Sequence, residues 1–279
     1  MSEIARAKRP FFAAKSADKE GCIYFEKEVE FDWHKGMSWQ VRQRSSLAMA
    51  QVIEEMCPKT KGRILEVSTK SSNYEQGFAL SAMNLMYKDF ETQEMHPIEN
   101  WFQSSKQFSR QGELFGPYAE LLNVDPKSAK RFVNSNLDKK TAEQYADNAV
   151  FNRIQSEIKG TSLSGFVFRG KSYKTEPKSG FYDYIYSKAL SQNQELANAI
   201  KKYKVFTDIE FNPIINGRVV RYNTQARACA IFVALSNKGL LNIALEDINS
   251  FIDCVQYETD NTGEPNCNVQ IELPIFKDS

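Results

Sequence analysis

Glu99, Gln103 and Lys106 stand at i, i+4 and i+7 in the segment Pro97-Ile-Glu-Asn-Trp-Phe-Gln-Ser-Ser-Lys-Gln-Phe108. At about 100° per residue a helix gathers these three on one stripe and Ile98, Trp101, Phe102, Ser105 and Phe108 or Ser109 on another. One face is core and the other lines something polar. A carboxylate in the first turn is favoured as the anion by roughly 0.3 to 1 kcal/mol through the helix dipole, which suits Glu99 to act as a base or cation stabiliser; burial pushes its pKa the other way. A surface helix with Glu99 as an ordinary first-turn acid fits the same spacing.

A second cluster is Phe206-Thr-Asp-Ile-Glu-Phe-Asn-Pro213 followed by Asn223-Thr-Gln-Ala-Arg227. Asp208, Glu210 and Asn212 alternate with apolar neighbours, so a strand over Val205–Phe211 puts them on one face. Asn223 is a good N-cap, and a helix start carrying Gln225 and Arg227 is a plausible seat for a diphosphate. Capping plus surface charge is the plainer account.

Two further patterns carry less. Gly165-Phe-Val-Phe-Arg-Gly-Lys-Ser172 matches the P-loop expression letter for letter. Phosphate binding there needs a loop whose amides can curl round the ligand and a helix beginning at the lysine. The intervening residues are bulky and β-prone, and Tyr173–Gly180 contains a proline and a glycine, so a strand entering a turn is expected instead. Lys159, Arg169, Lys171, Lys174 and Lys178 with Phe168 and Tyr173, and Lys201, Lys202 and Lys204 around Tyr203, interleave cations with rings as single-strand nucleic-acid grooves do; a solvated basic face reads the same way.

The remaining chemistry is pruned by composition. Five scattered cysteines contain no C-x-x-C pair, so neither a disulfide framework nor a zinc site is indicated. The two histidines, His34 and His96, sit in turn-like settings, which leaves carboxylates as the expected acids or bases. Lys plus Arg number 36 against 35 for Asp plus Glu, 42% of residues are hydrophobic and 25% charged, the composition of a globular protein. The longest apolar run, Ala228–Leu235, is far short of the roughly 20 residues a membrane span needs. Arg6, Lys8 and Arg9 precede only a short apolar stretch, Phe11–Ala14, too brief for a secretory signal, so a cytoplasmic protein is expected.

The elements that must position these residues follow from periodicity and punctuation. Strands are expected at Cys22–Phe31, Arg63–Ser68, Gly165–Tyr173 and Val205–Phe211, and a hairpin between Leu80 and Met95. Helices are expected at Ser38–Met56, with Val41, Leu47, Val52, Ile53 and Met56 inward, and at Pro97–Phe108, after Asp125-Pro126, and within 138–159. Further helices are expected at Phe181–Leu190, Gln194–Lys202, Thr224–Leu235 and Leu240–Cys254. Val269, Ile271 and Leu273 alternate in a late strand. The sum is an α+β, helix-rich single domain with a few short strands: an N-terminal strand and helix extension over 1–60, a catalytic domain over 61–255 and a C-terminal appendage over 256–279.

With these residues in place, the sequence resembles the NADAR family, in the branch encoded beside DNA ADP-ribosylating toxins of the DarT type. The resemblance lies in an ordered series of blocks: Ile64–Ser71, Leu80–Leu85, Ile98–Phe108, Gly116-Pro-Tyr118, Phe181–Tyr186, Phe206–Pro213 and Asn223–Arg227. The family's helix block reads Glu-His-Tyr-x-Gln-x-x-Lys-Phe; its catalytic glutamate falls on Glu99, and its glutamine and lysine on Gln103 and Lys106. Asn100 replaces the histidine, and Glu210–Pro213 stands where a Trp-Gly pair is expected. The resemblance implies an N-glycosidase that removes ADP-ribose from guanine in single-stranded DNA as an antitoxin, without metal or cofactor. It further implies substrate contacts from Lys70, Ser81, Asn84, Gln103, Lys106, Asp208, Glu210, Asn212, Asn223, Gln225 and Arg227, with ADP-ribosylated single-stranded DNA or guanine nucleoside, ADP-ribose and the cognate toxin as partners and no membrane. Hydrolysis of a free N-riboside such as a riboflavin-pathway intermediate, and non-catalytic sequestration of ADP-ribose or toxin, remain the alternatives.

Overall fold

The computed structural model describes residues 3–257 apart from 69, 216, 217, 220 and 221. In chain order the elements are β1 (Ile4–Ala14), β2 (Tyr24–His34), α1 (Trp39–Met56), β3 (Ile64–Glu66), α2 (Glu75–Ala79), β4 (Met86–Lys88), β5 (Met95–Pro97) and α3 (Ile98–Ser104). They continue with β6 (Lys106–Arg110), β7 (Glu113–Phe115), α4 (Pro126–Phe132), α5 (Lys139–Gln144), α6 (Ala149–Ile158), β8 (Ser162–Phe168) and β9 (Lys171–Tyr173). The last are α7 (Gly180–Gln192), α8 (Gln194–Ile200), β10 (Val205–Thr207), β11 (Ile214–Ile215), β12 (Arg218–Val219), α9 (Gln225–Asn237), α10 (Leu241–Ala244) and α11 (Ile248–Val255). The class is α+β and rich in helix, as expected. The described residues divide into two compact units, one from 1–84 with 177–279 and the other Leu85–Glu176.

In the first unit the sheet order is β2-β1-β10-β3. β1 runs antiparallel to both β2 and β10, and β10 runs parallel to β3. Residues 1–60, expected as an N-terminal strand and helix extension, contribute β1 and β2 to the sheet that carries β3 and β10. β1 itself was not anticipated: its outer half alternates Arg6 and Lys8 with small residues and reads as polar, yet Arg6 pairs with Glu30 and Asp32 across the hairpin. Its inner half turns Phe11 and Ala13 toward Met49, Ile53, Phe25 and Phe31. Phe12 faces the other way, with the Arg227 guanidinium of α9 6.0 Å from its ring centroid. The buried face of α1 is Arg42, Ser45, Ser46, Met49 and Ile53; Leu47 and Met56, expected inward, are exposed. α9 is buried over Ala226–Leu235, so its all-round apolar sequence reports a helix covered on every side.

The second unit holds an antiparallel sheet of order β7-β6-β8-β9 and the β4-β5 hairpin. Its core gathers Phe108, Tyr118, Leu121, Phe132, Phe151, Ile154 and Ile158. Asp125 caps α4 by accepting from the Lys127 and Ser128 amides, with Pro126 first in the helix. The expected strand Gly165–Tyr173 is two strands joined at Arg169-Gly170, whose φ values are 52° and 71°. That two-residue hairpin occupies the P-loop match and presents no helix at Lys171. The alternating segment Val269–Leu273 lies outside the described residues. Among the described residues no helix is long and apolar enough to cross a membrane.

Candidate active site

The helix that carries Glu99 is α3, and it is wedged in place by its aromatic side. Trp101 donates from Nε1 to the Tyr87 carbonyl at 3.1 Å and meets the Tyr87 and Phe168 rings edge-on, each at 5.6 Å. Phe102 packs on Phe166 at 5.4 Å. α3 ends at Ser104, four residues before the expected limit: Ser104 and Ser105 both turn their hydroxyls onto the Trp101 carbonyl, and β6 starts at Lys106, pairing with β8. Lys106 therefore reaches its place from a strand, not from a third turn of helix.

On the other side of α3 the Glu99 carboxylate, 6% exposed, accepts from Gln103 Nε2 at 2.6 Å. This is the i, i+4 geometry that the spacing requires. Gln103 keeps its Oε1 buried and without a hydrogen-bond partner. The Lys106 ammonium lies 5.1 Å from the centroid of the Phe102 ring. Burial lowers its pKa from 10.5 to about 8; the Glu99 charge pulls it back up and Lys130 pushes it further down. The second unit thus brings Glu99, Gln103 and Lys106 into one electrostatic group. Asn100 is fully buried and points elsewhere, donating to the carbonyls of Leu121 at 2.7 Å and Val124 at 2.8 Å, and so ties α3 to the turn ahead of α4.

The remaining expected residues belong to the first unit. β10 stops at Thr207, so Asp208, Glu210 and Asn212 do not share a strand face. Asp208 instead starts a turn, accepting from the Glu210 amide at 3.2 Å and from Thr224 Oγ1 at 3.0 Å. Glu210 is exposed and ion-paired with the buried Arg42, and Asn212 borders a cleft with Arg6, Lys8, Arg9 and Trp33. Thr224, not Asn223, caps α9 through the Ala226 amide, and Asn223 leaves Oδ1 buried without a hydrogen-bond partner. Gln225 donates to the Val67 carbonyl at 2.8 Å.

Arg227, expected to seat a diphosphate, is engaged in a buried ion pair. Its guanidinium, 3% exposed, is held by the fully buried Asp183 at 3.0 and 3.4 Å, which also accepts from Tyr257. Lys70 is exposed, its amide donating to Ser68 Oγ at 3.3 Å. Ser81 is buried with Oγ unpartnered, and Asn84 donates to the Phe78 carbonyl at 2.9 Å.

Sequence reasoning missed Glu66. At the end of β3 its buried carboxylate accepts from Ser71 Oγ at 2.6 Å, Thr207 Oγ1 at 2.6 Å and the Ile209 amide at 3.1 Å. Burial raises its pKa while those hydrogen bonds oppose the rise. The available signal was an acid inside the apolar run Ile64-Leu-Glu-Val, followed by closely spaced serines.

The second unit therefore holds a buried carboxylate fixed by a glutamine one turn on, with a lysine of lowered pKa in the same electrostatic group. The chain belongs to the DarT1-associated NADAR antitoxins, whose family model matches residues 7–264. No curated protein matches it.

Proposed function

We propose that this chain is an N-glycosidase that removes ADP-ribose from guanine bases in single-stranded DNA and so reverses the modification made by a DarT-type toxin. The observation that carries the reading is the Glu99 carboxylate, buried and fixed by Gln103 at 2.6 Å; the resemblance of its helix block to the family's aligns it with the catalytic glutamate. Cleavage between the anomeric carbon and the guanine nitrogen builds positive charge on the ribose ring. Glu99 stabilises that charge and takes a proton from the incoming water. Lys106, with a pKa of about 8, is mostly protonated at neutral pH and is suited to protonate the departing nitrogen. Water's oxygen ends on the anomeric carbon, and the base leaves with its amine restored.

The test is incubation with a guanine-ADP-ribosylated single-stranded oligonucleotide, followed by chromatography for free ADP-ribose. Catalytic release is the expected result. Protection from the toxin only at stoichiometric protein, with no ADP-ribose released, overturns the assignment in favour of sequestration.

A further inference from the structure

The basic run around Tyr203 has companions in the first unit that its sequence does not reveal. α2 lies hard against the end of β3: a Cβ at Gly77 would collide with the Glu66 carbonyl oxygen and the Ser72 hydroxyl. The approach to α2 is fixed by Ser71 on the Glu66 carboxylate, and by Ser72 Oγ, which donates to the Tyr74 carbonyl at 2.9 Å and accepts from the Tyr74 amide at 3.1 Å. On this rigid footing Tyr74, the residue preceding α2, and Phe78, one turn further, leave their side chains 50% and 51% exposed. The Tyr74 ring is 6.2 Å from that of Tyr203, and Lys202 Nζ is 5.1 Å from the same Tyr203 ring.

Exposed cations lie close to these residues in sequence. Lys201 and Lys202 are exposed, and the Lys204 amide donates to the carbonyl of the exposed Arg63 at 2.9 Å. Lys70 is exposed on the loop that leads to Tyr74, and Glu75 is the exposed acid on α2. A chain with a net charge of only +1 thus concentrates positive charge where it also holds aromatic rings open to solvent. Protein interfaces deplete lysine from their cores, whereas single-strand nucleic-acid surfaces combine lysines for phosphates with ring faces for bases.

We infer that this surface binds single-stranded DNA, with bases stacked on Tyr74 and Phe78 and phosphates held by Lys201 and Lys202. The choice of DNA rests on the glycosidase reading above; the surface adds a separate binding site for the strand.

The experiment measures anisotropy of a labelled, unmodified oligothymidine of about 12 nucleotides with the full chain. Tyr74→Ala and Phe78→Ala are each expected to weaken binding about ten-fold, and Tyr74→Trp and Phe78→Trp to preserve it. Lys201→Glu with Lys202→Glu should weaken binding and reduce the slope of log affinity against log salt by about 1.4. Wild-type affinity in all these variants, no binding by the wild-type protein, or loss of toxin binding with DNA binding intact overturns the assignment. No turnover is required. Intact ADP-ribose release without ring-dependent binding removes this surface alone, and ring- and lysine-dependent binding without release removes the glycosidase reading alone.

Discussion

Replacing Glu99 with glutamine keeps the side chain's size and its capacity to meet Gln103 while deleting one buried charge. Two consequences follow from the group it belongs to. The first is kinetic: losing a positioned base and cation stabiliser should lower ADP-ribose release roughly 10²- to 10⁴-fold. The second is electrostatic, because the Glu99 charge raises the pKa of Lys106 against burial and against Lys130. In the wild-type protein the rate should therefore fall as pH rises through about 8, where the lysine loses its proton. In Glu99→Gln the upward pull is gone, so the alkaline limb of the residual rate should move to lower pH. Folding supplies an independent reading. The pKa of Lys106 is lower folded than unfolded, so between about 8 and 10.5 the unfolded state binds more protons and stability rises with pH. The rise is at most roughly 3 kcal/mol, since the side chain keeps some solvent. Chromatographic rates and melting temperatures from pH 6 to 10.5 give both quantities. Wild-type turnover by a folded Glu99→Gln protein, or an alkaline limb that moves upward, would refute the reasoning.

Lys171→Ala should change stability by no more than about 0.5 kcal/mol, and ATP with magnesium should not shift the melting temperature, because Gly165–Ser172 is a hairpin; an ATP shift abolished by the substitution would reinstate the P-loop. Arg227→Met leaves Asp183 buried without its ion-pair partner and should cost roughly 3 to 5 kcal/mol in denaturant unfolding; a loss below about 1 kcal/mol would mean that the pair is not sealed from water. Gly77→Ala forces α2 off the end of β3 and should destabilise by roughly 1 to 3 kcal/mol; an unchanged melting temperature would contradict the close approach.

Local signals were read well and distant ones poorly. Ser38 before α1, Asp125-Pro126 before α4 and Pro97 before α3 each mark a helix start through groups within three residues, and each was legible. The inner face of α1 is not legible this way, because it includes the polar residues Arg42, Ser45 and Ser46. Arg42 is buried by pairing with Glu210, and Ser45 accepts from the His34 amide at 3.0 Å, both partners coming from other elements. β1 escaped notice for the same reason: Arg6 looks solvated until Glu30 and Asp32 are placed across from it. A polar residue's burial depends on partners that linear periodicity cannot supply.

The same division separates the site's residues. Glu99 accepts from Gln103 within one helical turn, and the spacing that puts them on one stripe is legible in the sequence. Glu66 and Asp183 are satisfied by residues remote in sequence, Thr207 and Ile209 for one and Arg227 and Tyr257 for the other, and neither was singled out. The pattern at Arg227 shows a cation near a helix start and not Asp183, the remote acid that pairs with it. Asn100 resolves a departure from the family pattern along the same lines. A side chain that gives its amide hydrogens to two turn carbonyls serves to seat α3, and a histidine N–H could serve one of them. Asn100 thus supplies a donor facing the turn, on a side of α3 away from the Glu99–Gln103 pair.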